Sequence, residues 1–215
     1  DPRAAALEVA RTLTPNTRRD FVLVVPALDE APMVPELIGE LKRAWSEYGL
    51  EGEVLVVDDG STDGTGDLLV SLREELIDQL CMHEKNLGKG AALRTGFERV
   101  KGDIVVVQDA DLEYDPHELP FLMEPILSGK ADAVYGSRFL GGPHRVLLFW
   151  HSVGNRLLTL LSNILTDVNL TDMETCYKMV RTDLLRSLPL STKRFGIEPE
   201  LTARLAQAGA RIYEL

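Results

Sequence analysis

Three short apolar runs limit how this chain can fold: residues 21–25, 54–57 and 104–108, dominated by valine, isoleucine and leucine, with a further strand expected at 131–135. Each is continuous rather than alternating, which is the pattern of a strand covered on both faces. Between them lie stretches of helical period, such as residues 33–48 with Leu37, Ile38, Leu41 and Trp45 at three- and four-residue intervals. Helices are also expected to open at Asp63, at Gly88 and at Asp115-Pro116, where Asp caps and Pro takes the first helical position. Strands alternating with helices in this way place the chain in the α/β class, with a mostly parallel sheet and helices on both faces. Pro26 is expected to stop the first strand. Further short strands are expected at 77–82, 176–180 and 211–215, and helices at 149–165, 183–187 and 198–207. Residues 1–19 read as a polar segment ahead of one domain over 20–215.

The acids stand at the ends of these runs. Asp109-Ala110-Asp111 follows the run 104–108, and Asp58-Asp59-Gly60-Ser61 follows the run 54–57. An open α/β sheet binds ligands at the carboxyl ends of its strands. Two carboxylates there offer hard oxygen ligands to Mg²⁺ or Mn²⁺, which fills its other positions with water and phosphate. One acidic pair is common on a solvated loop; two acidic strand ends in one α/β pattern suggest a nucleoside diphosphate and its metal. Gly88-Lys89-Gly90 opens a helix, where backbone N–H groups favour anions. The GxxxxGK[ST] spacing of a P-loop is absent.

The net charge of -11 argues against nucleic-acid binding, which needs a basic footprint. Yet residues 138–166 hold no Asp or Glu, while Arg138, His144, Arg145, His151 and Arg156 fall among them. Such a local patch fits a specific anionic partner, although Arg145 alone reads as a solvated charge. Cys81 and Cys176 stand in unrelated contexts, as free thiols in a reducing compartment would. No signal-peptide pattern opens the chain, and a cytoplasmic location is expected. Residues 146–165 are rich in Leu, with Phe149 and Trp150 near one end, but His151, Asn155, Arg156 and Asn163 interrupt them. They read either as a core helix or as a helix lying at a bilayer surface.

In order, Val24-Val25-Pro26-Ala27-Leu28-Asp29-Glu30, Val56-Val57-Asp58-Asp59-Gly60-Ser61-Thr62-Asp63-Gly64-Thr65, Asn86-Leu87-Gly88-Lys89-Gly90 and Gln108-Asp109-Ala110-Asp111-Leu112 resemble the motifs of family 2 glycosyltransferases of GT-A (Rossmann-like) fold. Gly136-Ser137-Arg138 and Asp172-Met173-Glu174-Thr175-Cys176-Tyr177-Lys178 look most like the dolichol-phosphate mannosyltransferase branch and its bacterial polyprenyl-phosphate relatives. The resemblance implies a nucleotide-sugar half over 20–136 and an acceptor half over 137–215. It implies a donor such as GDP-mannose or UDP-glucose, held by Pro26, Ala27, Leu28 and Glu30, by Asp58 or Asp59 at the base, and by Lys89, Asp109 and Ala110. Lys178, where relatives often carry Arg, would meet the diphosphate or stand as an exposed strand charge. Asp109 and Asp111 would hold the metal. Glu113, where relatives carry a Gln ligand, keeps an oxygen donor.

On the acceptor side, the resemblance sets Arg138 against an acceptor phosphate, with Ser152 and Arg156 one helical turn apart beside it. Asp172 is the expected general base, with Glu174 either a second candidate or a brace for its loop; Arg138, Asp111 and Asp172 form the expected catalytic set. The implied reaction is inverting transfer of mannose or glucose to a polyprenyl or dolichyl phosphate at the cytoplasmic face of a membrane. A soluble acceptor (a sugar or phosphoglycerate) and a nucleotide-sugar-binding module without turnover are the alternatives.

Overall fold

The computed structural model describes residues 2–12, 21–73, 75–111, 114–140 and 148–215. Strands β1 (Phe21–Ala27), β2 (Glu53–Asp58), β3 (Gln79–Met82), β4 (Ile104–Val107), β5 (Ala133–Tyr135), β6 (Lys178–Arg181) and β7 (Ile212–Glu214) form one sheet. Its order is β3-β2-β1-β4-β6-β5-β7. Neighbours run parallel except at β6, which is antiparallel to both β4 and β5. Helices α1 (Pro2–Thr12), α2 (Val34–Tyr48), α3 (Thr65–Leu72), α4 (Lys89–Phe97), α5 (Leu119–Leu127), α6 (Phe149–Thr166), α7 (Thr182–Ser187) and α8 (Ile197–Gln207) connect and cover it. The α/β class and mostly parallel sheet expected from the sequence are the fold observed.

The continuous apolar runs are continuous because β1, β2 and β4 lie in mid-sheet under helices, with nearly every residue buried. α4 lies so close to β1 that a Cβ added at Gly96 would stand 2.5 Å from Val24 Cγ1. β2 lies on one side of β1 and β4 on the other. The chain order therefore reverses between β1 and β4, the switch point at which such sheets bind ligands.

The structure corrects several expectations. Pro26 does not stop β1, which continues to Ala27. Val24 faces β4, since its carbonyl accepts from Gln108 N–H, so Pro26 faces that side too, and β4 pairing has ended at Val24. The missing proline N–H therefore costs no ladder bond. α3 begins at Thr65 rather than Asp63, because the Asp63 carboxylate accepts the Thr65 N–H at 2.9 Å. Asp115 does cap, accepting from His117 N–H at 2.9 Å, but opens a 3₁₀ turn, Pro116–Glu118, ahead of α5. Residues 2–12 of the polar N-terminal segment form α1, which puts Ala6 and Ala10 into the core against α2 and α5.

α6 is the largest departure. Its leucines do not enter the core. Leu148 just before it, and Phe149, Trp150, Leu157, Leu160, Ile164 and Leu165 within it, are each more than half exposed. The polar stripe Ser152, Asn155, Thr159, Ser162, Asn163 and Thr166 faces the protein instead. Asn163 both donates to the Leu170 carbonyl at 2.8 Å and accepts its N–H at 3.1 Å. Thr159 Oγ1 accepts the Met173 N–H at 3.1 Å. Among the described residues no helix is long and apolar enough to cross a membrane.

Candidate active site

The carboxyl ends of β1, β2 and β4 converge on a cleft of about 280 Å³. From β1 come Pro26, Ala27, Leu28 and Glu30; from β2, Asp59; from β4, Asp109, Ala110 and Asp111; and from the start of α4, Lys89. The structure thus brings together eight of the residues expected to hold the donor, with Asp111, expected to hold the metal, beside them. The first two turns are tied to each other. Asp29, at φ 56, accepts the Thr62 N–H at 2.7 Å, and its own N–H donates to Ser61 Oγ at 3.0 Å. Glu30 N–H donates to Thr65 Oγ1 at 3.0 Å. Asp29 is therefore a cross-loop cap rather than the cap of α2.

The two acids of the second turn separate in role. Asp59, at the cleft wall, accepts from His83 Nδ1 at 2.7 Å, Leu87 N–H at 3.0 Å and Gly88 N–H at 2.7 Å. It fixes the loop that delivers Lys89. Asp58 is buried and accepts the N–H and hydroxyl of Ser61. It is not part of the cleft wall, so of the two acids expected at the base Asp58 holds the turn and only Asp59 lines the cleft. Gly88 closes the loop at φ 96, where an added Cβ would collide with the Lys193 carbonyl.

The cleft is strongly acidic. Glu30 is pushed above the ordinary carboxylate range by burial, then by the charges of Asp111 and Asp109. Lys89 reaches Asp109 at 2.9 Å and Glu198, from the first turn of α8, at 2.7 Å. Burial disfavours its ammonium, but Cys176, Asp109 and Glu198 together hold its pKa above the usual lysine value. No group of three His, Cys, Asp or Glu side chains positioned as a metal cage occurs among the described residues. Asp109 and Asp111 offer two hard carboxylates beside open cleft, a donor set that fits Mg²⁺ or Mn²⁺ completed by phosphate and water rather than a protein cage. Glu113, His144 and Arg145 lie outside the described residues.

Lys178 is not in the cleft. Burial at 2% exposure turns its ammonium inward, where it donates to the Met173 carbonyl at 3.0 Å and to the Thr175 carbonyl. It sits 4.7 Å over the Tyr135 ring. Burial lowers its pKa to about 8. It is neither the expected diphosphate contact nor an exposed strand charge.

A second cluster lies in the half expected to meet the acceptor. Asp172 is fully buried and accepts from Arg138 N–H at 3.1 Å, Nε at 2.7 Å and Nη2 at 3.0 Å, and from Asn155 Nδ2 at 2.8 Å. Burial pushes its pKa up, but the Arg138 and Asn155 hydrogen bonds and the Arg138 charge outweigh that and lower it. A carboxylate so engaged is a poor proton acceptor, and this geometry makes Asp172 the anchor of Arg138 rather than a base. Glu174, raised first by burial and then by Glu198, is the more basic of the two. Arg156 stands 5.9 Å from the Phe139 ring, next to Arg138 in the chain. From α6 it is Asn155 that reaches Asp172; Ser152, expected beside the acceptor phosphate, lies on the same half-buried stripe.

Sequence reasoning missed Asn86, Arg194 and Phe195, which line the cleft, and Glu198. Asn86 stood inside a recognised motif. The other three come from the segment around α8, far along the chain, where only a helix start was legible.

The model of Glycosyl transferase family 2 matches residues 22–188. The chain belongs to this family. An undecaprenyl-phosphate mannosyltransferase of Micrococcus luteus is 33% identical over 207 residues, covering 89% of this chain and 80% of that protein. A low-salt glycan biosynthesis hexosyltransferase of Haloferax volcanii is 31% identical over 90% of this chain, which spans 45% of its length. Among solved structures, glucosyl-3-phosphoglycerate synthase from Mycobacterium tuberculosis, in complex with Mn²⁺, uridine diphosphate and phosphoglyceric acid, aligns with TM-score 0.72 at 22% identity. That alignment covers 99% of this chain and 71% of that one. The GT-A architecture expected from the motifs is thereby the family architecture of this chain.

Proposed function

We propose that this chain transfers a hexose from a nucleoside diphosphate sugar to a phosphate-bearing acceptor, inverting the anomeric carbon by direct displacement. The observation that carries the reading is the switch-point cleft, where Asp109 and Asp111 face Lys89 at the start of α4. Bound there, Mg²⁺ or Mn²⁺ would neutralise the diphosphate and stabilise it as leaving group. Glu30 is placed to accept hydroxyl protons of the ribose, and Asp59 forms the wall beside the base. Phe195, an exposed ring at the cleft edge, offers an apolar face to base or sugar. Arg138, oriented by Asp172, presents paired donors to the acceptor phosphate. An acceptor oxygen attacks C1, the C1–oxygen bond to the diphosphate breaks, and the nucleoside diphosphate carries off the electron pair. A polyprenyl phosphate oxygen is already anionic near neutral pH and needs no dedicated base, whereas a phosphoglycerate hydroxyl passes its proton to a carboxylate, for which Glu174, with its raised pKa, is better suited than an Asp172 committed to Arg138.

Of the acceptors weighed from the sequence, the soluble alternative is the better supported. In one aligned structure of glucosyl-3-phosphoglycerate synthase, phosphoglyceric acid is bound together with UDP-glucose and Mn²⁺. A second reading, transfer of mannose or glucose to polyprenyl phosphate at the cytoplasmic face of a membrane, is favoured by the outward apolar face of α6. The name of the 33% identical relative points the same way.

The test supplies the purified chain with Mn²⁺ and UDP-glucose or GDP-mannose. One arm adds 3-phosphoglycerate and another adds undecaprenyl phosphate in vesicles, with products read by mass spectrometry. Glycosylated phosphoglycerate supports the first reading, and a glycolipid alone the second. Metal-dependent nucleotide binding without product in either arm replaces both with a binding module. Absence of nucleotide binding removes the donor site.

A further inference from the structure

We propose that Glu198 is a positioning residue that sets the charge of the metal end of the cleft; this rests on the donor-site reading of Asp109 and Asp111. Glu198 lies at the start of α8 and is 7% exposed. One carboxylate oxygen takes the Lys89 ammonium at 2.7 Å. The other is buried with no hydrogen-bond partner among the described residues. Half-satisfied buried carboxylates are costly, and α8 does not need this one to pack, since Ile197, Leu201 and Leu205 already anchor it in the core.

Charge balance gives Glu198 a use. Lys89 also reaches Asp109 at 2.9 Å. If Lys89 had only that partner, its ammonium would cancel one of the two carboxylates available to a cation. Glu198 divides the attention of the ammonium. Of the three carboxylates Asp109, Asp111 and Glu198, Lys89 then cancels one, and two negative charges remain for a divalent ion. The same bridge tethers α8, and with it Arg194 and Phe195, to the β4 end of the cleft.

The experiment titrates Mn²⁺ alone into the full chain and follows the free-ion signal by electron paramagnetic resonance. Glu198→Gln keeps the shape and removes the charge, and weakens Mn²⁺ binding by about tenfold, the scale of one unit charge on a divalent ion about 6 Å away in an open cleft with a water-like dielectric near 80. Combining it with Lys89→Met restores the charge count, and affinity returns to within about threefold of the unmodified chain. A purely packing role would not be rescued by removing Lys89. Unchanged binding in E198Q, or a double variant as weak as E198Q, overturns the proposal. If E198Q does not fold, the double variant carries the test by the same threefold criterion. If the unmodified chain itself takes up no Mn²⁺, the donor-site reading falls, and with it this inference.

Discussion

Replacing Asp172 by Asn separates a structural anchor from a catalytic base. The carboxylate is fully buried and accepts four hydrogen bonds, three of them from Arg138. Asn offers one oxygen and turns an amide NH₂ toward groups that are themselves donors. Breaking a buried pair from one side costs about 3–5 kcal/mol, because the remaining charge is left uncompensated. The Arg138 side chain is 21% exposed and recovers some hydration, which puts the expected loss near the lower end, about 3 kcal/mol. Urea unfolding at pH 7 should show a shifted midpoint with an unchanged slope. The folded-state pKa lies below the ordinary 3.8, so the stabilisation is present above that value and is lost as pH falls through the folded pKa. The gap between the two proteins should therefore close on acidification below 3.8. In turnover, an anchor raises the acceptor KM, whereas a base lowers kcat at constant KM. A gap under about 1 kcal/mol at pH 7, against the 3–5 expected for a broken buried pair, refutes the reasoning, as does a loss confined to kcat.

Lys178→Met removes a buried ammonium whose pKa is depressed to about 8 from 10.5. The unfolded chain holds that proton more tightly, so the unmodified protein gains stability relative to the variant as pH rises from 8 to 10.5, by at most about 3 kcal/mol. Paired urea melts at the two ends of that window check it, and a constant difference refutes it. On α6, the triple change Leu157→Ser, Leu161→Ser and Ile164→Ser should alter stability by less than about 1 kcal/mol, because exposed side chains contribute little. The single inward change Asn163→Ala should cost about 2 kcal/mol, since it strands both backbone groups of Leu170; thermal melts in which the triple change costs more than the single one would reverse the orientation.

The donor half of the cleft was legible because its signals are local. β1, β2 and β4 are covered on both faces, so their apolar runs are unbroken, and the acids that line the cleft follow them directly in sequence. What was not legible depends on partners distant in the chain. α1 contributes small side chains, Ala6 and Ala10, which leave no broad apolar stripe to detect. Lys178 falls inside an expected short strand, where a lone charge reads as exposed, and only β6, inserted antiparallel between β4 and β5, carries it into the interior. Glu198 reads as an acid in a first helical turn; its meeting with Lys89 spans more than a hundred residues.

α6 shows why a correct period can still give an undetermined face. Its polar residues recur at three- and four-residue intervals as regularly as its leucines, so the sequence carries two stripes and no instruction about which turns inward. The choice is made by what lies beneath. Residues 170–173 are irregular backbone before β6, and their N–H and carbonyl groups need partners when buried. Asn163 serves Leu170, and Thr159 serves Met173. Asn155 completes Asp172, which in turn holds Arg138. Turning the leucines inward would strand each of these groups. The polar stripe is therefore the docking face, and the apolar surface left outside is a consequence of holding Arg138 and its Asp172 anchor on loops rather than on strands.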